Sequence, residues 1–388
     1  MPPDTPPSLK RSAGAPSPDA SSHPTSNLSS HAGPPTPHTR FGSVWRAALC
    51  LLIGAAGGYG ADLAGAPLPY MLGSVAATIF AALIRMPIVR PQEPIVIPMR
   101  VVLGVVIGAT VTPELLAKLA DVAGTAAFVP LYVSVVALIG TAYYRIVGRY
   151  SREEALFCAL PGGLLIMTTM AQDTGVDIRR VSLAHALRIA FVVLTIPFIA
   201  QALVGVDSIE TARGLVPVNA LPPREMALLA AAGIVGWWGA RALRLPAGQI
   251  IGPLVASAAL HLTGISQAKP PQELVYASQV VLGAHIGARF VGEKFALLRE
   301  AVGLAAGHTA MMLCLSLGFA FALQALFGLS LITGLLCFAP GGMSENALIA
   351  LGLGLDVAFI IAVQISRMMF ISLTMPLVYA RLQPLLRR

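Results

Sequence analysis

Residues 101–114 read VVLGVVIGATVTPE, and residues 280–293 read VVLGAHIGARFVGE, an offset of 179. The same offset carries LFCALPGG at 156–163 onto LLCFAPGG at 335–342. It also carries Gly73, Asp177, Arg188 and Pro197 onto Gly252, Asp356, Arg367 and Pro376. Self-similarity at a fixed period marks a repeated structural unit, and the register holds without a gap from Gly73 to Pro197. The spacing predicts a tandem duplication, with one unit over 44–209, a connecting loop over 210–224 and a second unit over 225–388.

The chemistry around these repeats is that of a chain solvated by lipid. Of 388 residues, 56% are hydrophobic and 11% charged, and mean hydropathy is +0.76; soluble domains carry about 25% charged residues. An all-α, multi-pass membrane protein follows as the expected class, with the bilayer as its first partner. Residues 1–43 are the exception. They are Pro/Ser-rich and nearly free of large apolar side chains, and so are expected to form a disordered cytoplasmic tail. The first apolar run starts near Val44 and lacks the layout of a cleavable signal. The net charge of +8 is scattered through loops rather than gathered in a patch, so nucleic acid is not an expected partner. Cys50, Cys158, Cys314 and Cys337 lie in apolar segments without ligand spacing. They read as packing residues, not as a disulfide framework or a zinc site.

Apolar runs of spanning length, about 17 to 25 residues, fall near 44–60, 68–84, 95–111, 122–144 and 181–203, and again near 225–240, 246–264, 272–290, 301–325 and 357–380. Each unit also holds an apolar segment, 153–172 or 332–352, broken by Pro-Gly-Gly. Cytoplasmic loops collect Lys and Arg. Ten crossings with re-entrant broken segments place Arg85, Arg90, Arg145, Arg149, Arg152, Arg179 and Arg180 inside with the N-terminus. The same scheme places Arg241, Arg244, Arg289, Lys294, Arg299, Arg381, Arg387 and Arg388 of the second unit inside, which requires the two units to be inverted. A twelve-crossing model of parallel repeats puts Arg179 and Arg180 outside and ranks second.

Irregular backbone at membrane depth survives only where protein or a hydrated cavity surrounds it. Inverted repeats with discontinuous helices are the pattern of secondary transporters, whose half-helix ends hold a solute or coupling ion. The two breaks, Pro161, Gly162, Gly163 and Pro340, Gly341, Gly342, are therefore expected to share one polar site. Ser344, Glu345 and Asn346 follow the second break, and an intramembrane carboxylate is costly enough to be functional by default. Copy one has Leu165, Ile166 and Met167 there, with Thr168 and Thr169 beyond, so the site is expected to be asymmetric. His185 and Arg188, like Gln364 and Arg367, are three apart and share a helix face; the arginines suit an anion or a carboxylate. Asp177 and Asp356 read as helix caps, Glu114 and Glu293 as interfacial caps, and His285 and His308 as packing residues.

The repeated signature, LPYMLGS, VVLGVVIGA, LPGG followed by Asp177 and HALR, then PGGMSENA, Asp356 and QISR, resembles the membrane AbrB-duplication family of Gram-negative bacteria. That family is unrelated to the DNA-binding transition-state regulator of the same name. The resemblance spans roughly 45–385 and implies the inner membrane. Members are labelled regulators of gene expression or ammonia monooxygenases. The leading reading is a secondary transporter or channel for a small polar solute, anionic or zwitterionic, without a cofactor. A membrane-embedded regulator is the alternative. A metal oxygenase requires ligand spacing, which His185, His261, His285 and His308 lack. The substrate, coupling ion and oligomeric state are left open.

Overall fold

The computed structural model describes residues 37–113, 118–162, 164–172, 174–204, 217–245 and 247–386. Gly163 and Glu114 lie outside them. The first half holds helices α1 (Pro37–Leu63), α2 (Pro69–Leu83), α3 (Glu93–Gly108), α4 (Leu119–Ala127), α5 (Val129–Ile146), α6 (Arg152–Ala159), α7 (Leu164–Gln172) and α8 (Ile178–Val204). The second half holds α9 (Pro223–Ala242), α10 (Gly248–Leu262), α11 (Gln272–Gly287), α12 (Phe295–Phe327), α13 (Leu331–Phe338), α14 (Met343–Gly352) and α15 (Val357–Leu386). Helix α1 begins at Pro37, inside the stretch expected to be unstructured. Residues 43–388 form one unit around a nearly continuous apolar core.

The sequence offset recurs in the elements. The starts of α2, α3, α6, α7 and α8, shifted by that same offset, coincide with the starts of α10, α11, α13, α14 and α15. Left-handed backbone recurs with it, at Leu68 and Ala247 and at Arg149 and Gly328. The one long helix α12 corresponds to α4 and α5, which are separated at Phe128, two residues before Pro130. Proline removes an amide donor and disturbs the preceding turn, and the two helices still form a single apolar stretch, Ala120–Ile146.

Among the described residues, five helices are long and apolar enough to cross a membrane: Gly42–Leu63, Ala120–Ile146, Ile178–Leu203, Phe295–Phe327 and Val357–Arg381. Ten such spans are expected from the apolar runs. Helices α2, α3, α10 and α11 have only 15 or 16 residues, roughly 23 Å at 1.5 Å per residue, against a hydrocarbon thickness of about 30 Å.

These short helices pack on one another, and glycine sets how closely. A methyl group at Gly104 or Gly108 of α3 would collide with the carbonyls of Ile250 or Leu254 on α10. At Gly283 or Gly287 of α11 it would meet the carbonyls of Met71 or Val75 on α2. Each half thus contributes one Gly-x-x-x-Gly helix that lies in the groove of the other half's shorter helix, the small-residue packing that apolar surroundings favour. Hydroxyls bridge the same contacts: Ser257 Oγ donates to the Val105 carbonyl at 2.8 Å and Ser74 Oγ to that of Val280 at 2.8 Å. Outside this core α12 packs on α8, and α15 on α4 and α5.

Overpacking at a backbone contact costs about 1–3 kcal/mol. Gly287→Leu is expected to lower the thermal unfolding midpoint of the detergent-purified protein by that scale or to abolish its folded yield. Gly303→Leu, at an exposed position of α12 with open space around it, should change neither. Equal behaviour of the two variants would mean that the α2–α11 contact does not hold the halves together.

Candidate functional site

Two short helices lead into the site. Helix α6 starts at a capping box: Ser151 Oγ accepts from the Glu154 amide at 3.2 Å, and the Glu154 carboxylate accepts from the Ser151 amide at 3.0 Å. Helix α13 starts on Ser330, whose Oγ accepts from the Thr333 amide at 3.3 Å. Both end at a residue that precedes proline, Leu160 or Ala339, with ψ 134 in each, because proline disfavours helical backbone in the residue before it. Helices α7 and α14 begin after the glycines.

Ending a helix in a buried, apolar place leaves its last carbonyls without partners. Long side chains from α8 and α15 supply them. Arg188 Nη1 donates to the Leu160 carbonyl at 3.2 Å, and Arg367 Nη1 donates to those of Phe338 and Ala339 at 3.0 and 2.9 Å. One turn earlier His185 Nε2 meets the Phe157 carbonyl at 2.9 Å, and Gln364 Nε2 donates to that of Leu336 at 2.8 Å. His185 Nδ1 is also 2.8 Å from Arg188 Nη2, which aims the guanidinium. Nearer the starts of α6 and α8, Arg180 and Glu154 pair at 3.9 Å. Contacts that advance together along both helices mean that α6 and α8 run in the same sense, so α7 turns back between them.

The breaks meet at a cavity of about 370 Å³. Pro161 and Arg188 line it from the first half; Gly341, Gly342, Ser344, Glu345, Gln364 and Arg367 line it from the second. Glu345 and Ser344 are 8% and 7% exposed, in the first turn of α14, where the helix dipole is positive. The Glu345 carboxylate folds back over Gly342, leaving no room for a methyl group there. Asn346 sits against Gly341 and donates weakly to the Ala339 carbonyl at 3.4 Å.

Four residues expected at the site support the wall without lining it. His185 and Asn346 act through Arg188 and Gly341, Pro340 is buried, and Gly162 packs on Met167 and Ile371. Three polar lining residues, Arg100, Gln249 and Arg289, were not among those expected. Arg100 of α3 donates to Gln249 of α10 at 2.9 Å and pairs with Glu93 at 3.3 Å. Arg289, just after α11, lines both this cavity and a second one of about 390 Å³ that also touches Arg90, Ser182 and Glu293. The sequence signal for Arg100 and Arg289 is a charge inside an apolar run, without a charged counterpart at the matching position of the other copy.

The remaining polar residues have structural places. Asp177 caps α8 through the amides of Arg179 and Arg180, at 2.9 and 3.4 Å, and Asp356 caps α15 through the Phe359 amide at 3.1 Å. Glu293 is not a helix cap: its carboxylate lies 3.7 Å from Arg179, since α11 ends several residues earlier at Gly287. His285 contacts Arg90 at 2.6 Å and the Pro91 carbonyl at 2.9 Å. His308 packs against the rings of Tyr143 and Tyr144. Cys50, Cys158 and Cys337 are buried free thiols, and Cys314 is an exposed one.

A family model described as "Transition state regulatory protein AbrB" matches residues 24–383. "Uncharacterized protein YhjN" of Bacillus subtilis (strain 168) is 27% identical over 367 residues, covering 86% of this chain and 92% of its own length. "Putative regulator AbrB" of Escherichia coli (strain K12) is 31% identical over 221 residues, 56% of this chain and 62% of its own length. The chain belongs to the membrane AbrB family, distinct from the DNA-binding domain of that name.

Proposed function

We propose that this chain is a multi-pass inner-membrane secondary transporter or channel for a small polar solute, anionic or zwitterionic, built from two inverted repeats with re-entrant Pro-Gly-Gly segments. The observation that carries this reading is that Pro161 from one break and Gly341 and Gly342 from the other line the same cavity as Arg188, Glu345 and Arg367. Discontinuous helices meeting at a shared polar site are how secondary transporters hold their cargo. Four arginines and one carboxylate line the cavity, which favours a ligand carrying negative charge.

The repeat reading has support of its own. Element boundaries recur at the offset seen in the sequence, and the glycine contacts are reciprocal, α3 on α10 and α11 on α2, the mark of a two-fold relation. Inversion follows if each broken segment returns to the face it left. The parallel course of α6 and α8, with Glu154 beside Arg180, supports that return. The contact of Arg179 with Glu293 and that of Tyr379 with Glu153, at 2.8 Å, are also compatible with one shared face. The Lys/Arg distribution makes that face cytoplasmic.

The regulatory alternative draws on the family description and on the name of the Escherichia coli relative. Proteoliposomes containing only this protein separate the two. Small carboxylates, amines and amino acids are screened for thermal stabilisation at two pH values, with and without sodium, and the hits are tested for counterflow. Flux supports transport; stabilisation by a hit without flux supports sensing.

The topology makes a separate prediction. In a background without the four native cysteines, single cysteines at positions 149 and 180 should be labelled from the cytoplasmic side alone. Labelling at position 180 from the opposite side would overturn the inverted arrangement. Glu345→Gln keeps the side-chain shape and removes the charge; it is expected to abolish flux while membrane insertion and the unfolding midpoint stay unchanged. A variant with full flux would return Glu345 to a structural role.

A further inference from the structure

Among the lining side chains of the central cavity, the charges do not balance. Arg100 has its own counterion in Glu93 at 3.3 Å. Arg188, Arg289 and Arg367 remain against Glu345, an excess of two positive charges. Arg367 donates through Nη1 alone to two carbonyls. Arg188 is 3% exposed and uses its two terminal nitrogens on Leu160 and His185, but its Nε is buried without a hydrogen-bond partner among the described residues. The same holds for Nε and Nη1 of Arg289. A guanidinium presents its N–H groups in a planar fork that matches a carboxylate, and leaving such donors unpaired in a buried site is costly.

The two groups come from different elements: Arg188 is on α8, and Arg289 is in the turn after α11. Each is short of an acceptor. The first residues of α14, Ser344 among them, line the same space.

Resting on the transporter reading of this cavity, we infer that its cargo is a small dicarboxylate dianion, with one carboxylate meeting Arg188 and the start of α14 and the other meeting Arg289. Two carboxylates supply the charge that the three arginines and Glu345 leave uncompensated. They also match two separate arginines, where a monocarboxylate matches one. A volume of about 370 Å³ suits a short aliphatic chain. An amino acid brings an ammonium group that adds to the excess positive charge. Because Arg289 also lines the second cavity, it is the side chain through which the two spaces adjoin, and it selects for the second carboxylate.

The test is binding to the full-length, detergent-purified protein by calorimetry and thermal shift, with malonate, succinate, glutarate and adipate against butyrate, sulfate, aspartate and alanine. At least one dicarboxylate is expected to bind about tenfold or more tighter than butyrate, the scale of one additional charge-assisted hydrogen bond. Arg289→Gln should erase that advantage, bringing dicarboxylate affinity down to that of butyrate. Arg289→Lys, which keeps the charge but not the fork, should retain part of it and serves if the glutamine variant does not fold. Butyrate, sulfate, aspartate or alanine binding as tightly as the best dicarboxylate would overturn the inference, as would a dicarboxylate advantage that survives Arg289→Gln. Flux of a different solute would then leave the transporter reading standing. Dicarboxylate binding without flux would remove that reading and leave the site.

Discussion

A helix that stops in the middle of an apolar interior must find partners for its last carbonyls, and the architecture around the cavity depends on how that is done. Lipid offers no hydrogen bonds, and a buried acceptor left unpaired costs about 1–3 kcal/mol. Arg188 and His185 answer this for α6, and Arg367 and Gln364 for α13. The guanidinium is suited to the task because it stays charged and offers several donors in a fixed plane. Each such bond ties a half-helix to the long helix beside it. The Pro-Gly-Gly turns are held in place as a result, and the next helix starts from a defined point.

The solution creates a second problem that bears on function. Cations drawn into an apolar interior carry a desolvation penalty that carbonyl dipoles offset only in part. Arg188 and Arg367 both line the cavity with their neighbours Arg100 and Arg289, and the only acidic lining residue among the described ones is Glu345. A site assembled first to satisfy backbone groups is thereby left with a surplus of positive charge. In the proposed mechanism that surplus becomes the binding energy for an anion, and Glu345, poised at the start of α14, is the charge that the anion must share the space with.

The two halves are alike in backbone and unlike in chemistry. Helices α7 and α14 occupy corresponding places, but α14 opens with Ser344 and Glu345, whereas the corresponding positions on α7 are 165 and 166, leucine and isoleucine. Likewise Arg289 corresponds to Thr110, Arg100 to Gln279 and Gln249 to Tyr70. Helix starts recur at one offset around the two breaks, and differences at a few positions give only one of them a carboxylate. The glycine contacts between the halves do not involve the positions that differ.

What the sequence by itself determined is what local chemistry enforces. Apolar composition makes the helical class legible, and the constant offset between the copies anticipates the helix boundaries of one half from those of the other. Proline and paired glycines mark where helices stop. A charged residue in an apolar run is expensive enough to stand out, so Arg188, Arg367 and Glu345, which line one cavity, were legible as candidates. Residues three apart share a helix face, but depth along the helix decides which lines the cavity, and His185 lies a turn away from Arg188, against the Phe157 carbonyl. Only the tertiary structure brought in Arg100, Gln249 and Arg289. They come from α3, α10 and the turn after α11, helices whose meeting depends on the close approach of Gly104 and Gly108 to α10 and of Gly283 and Gly287 to α2. Arg100 and Arg289 stand out as charges in apolar runs, but which cavity they reach is set by packing between elements distant in sequence, and none of these three has a chemical twin in the other copy to betray it.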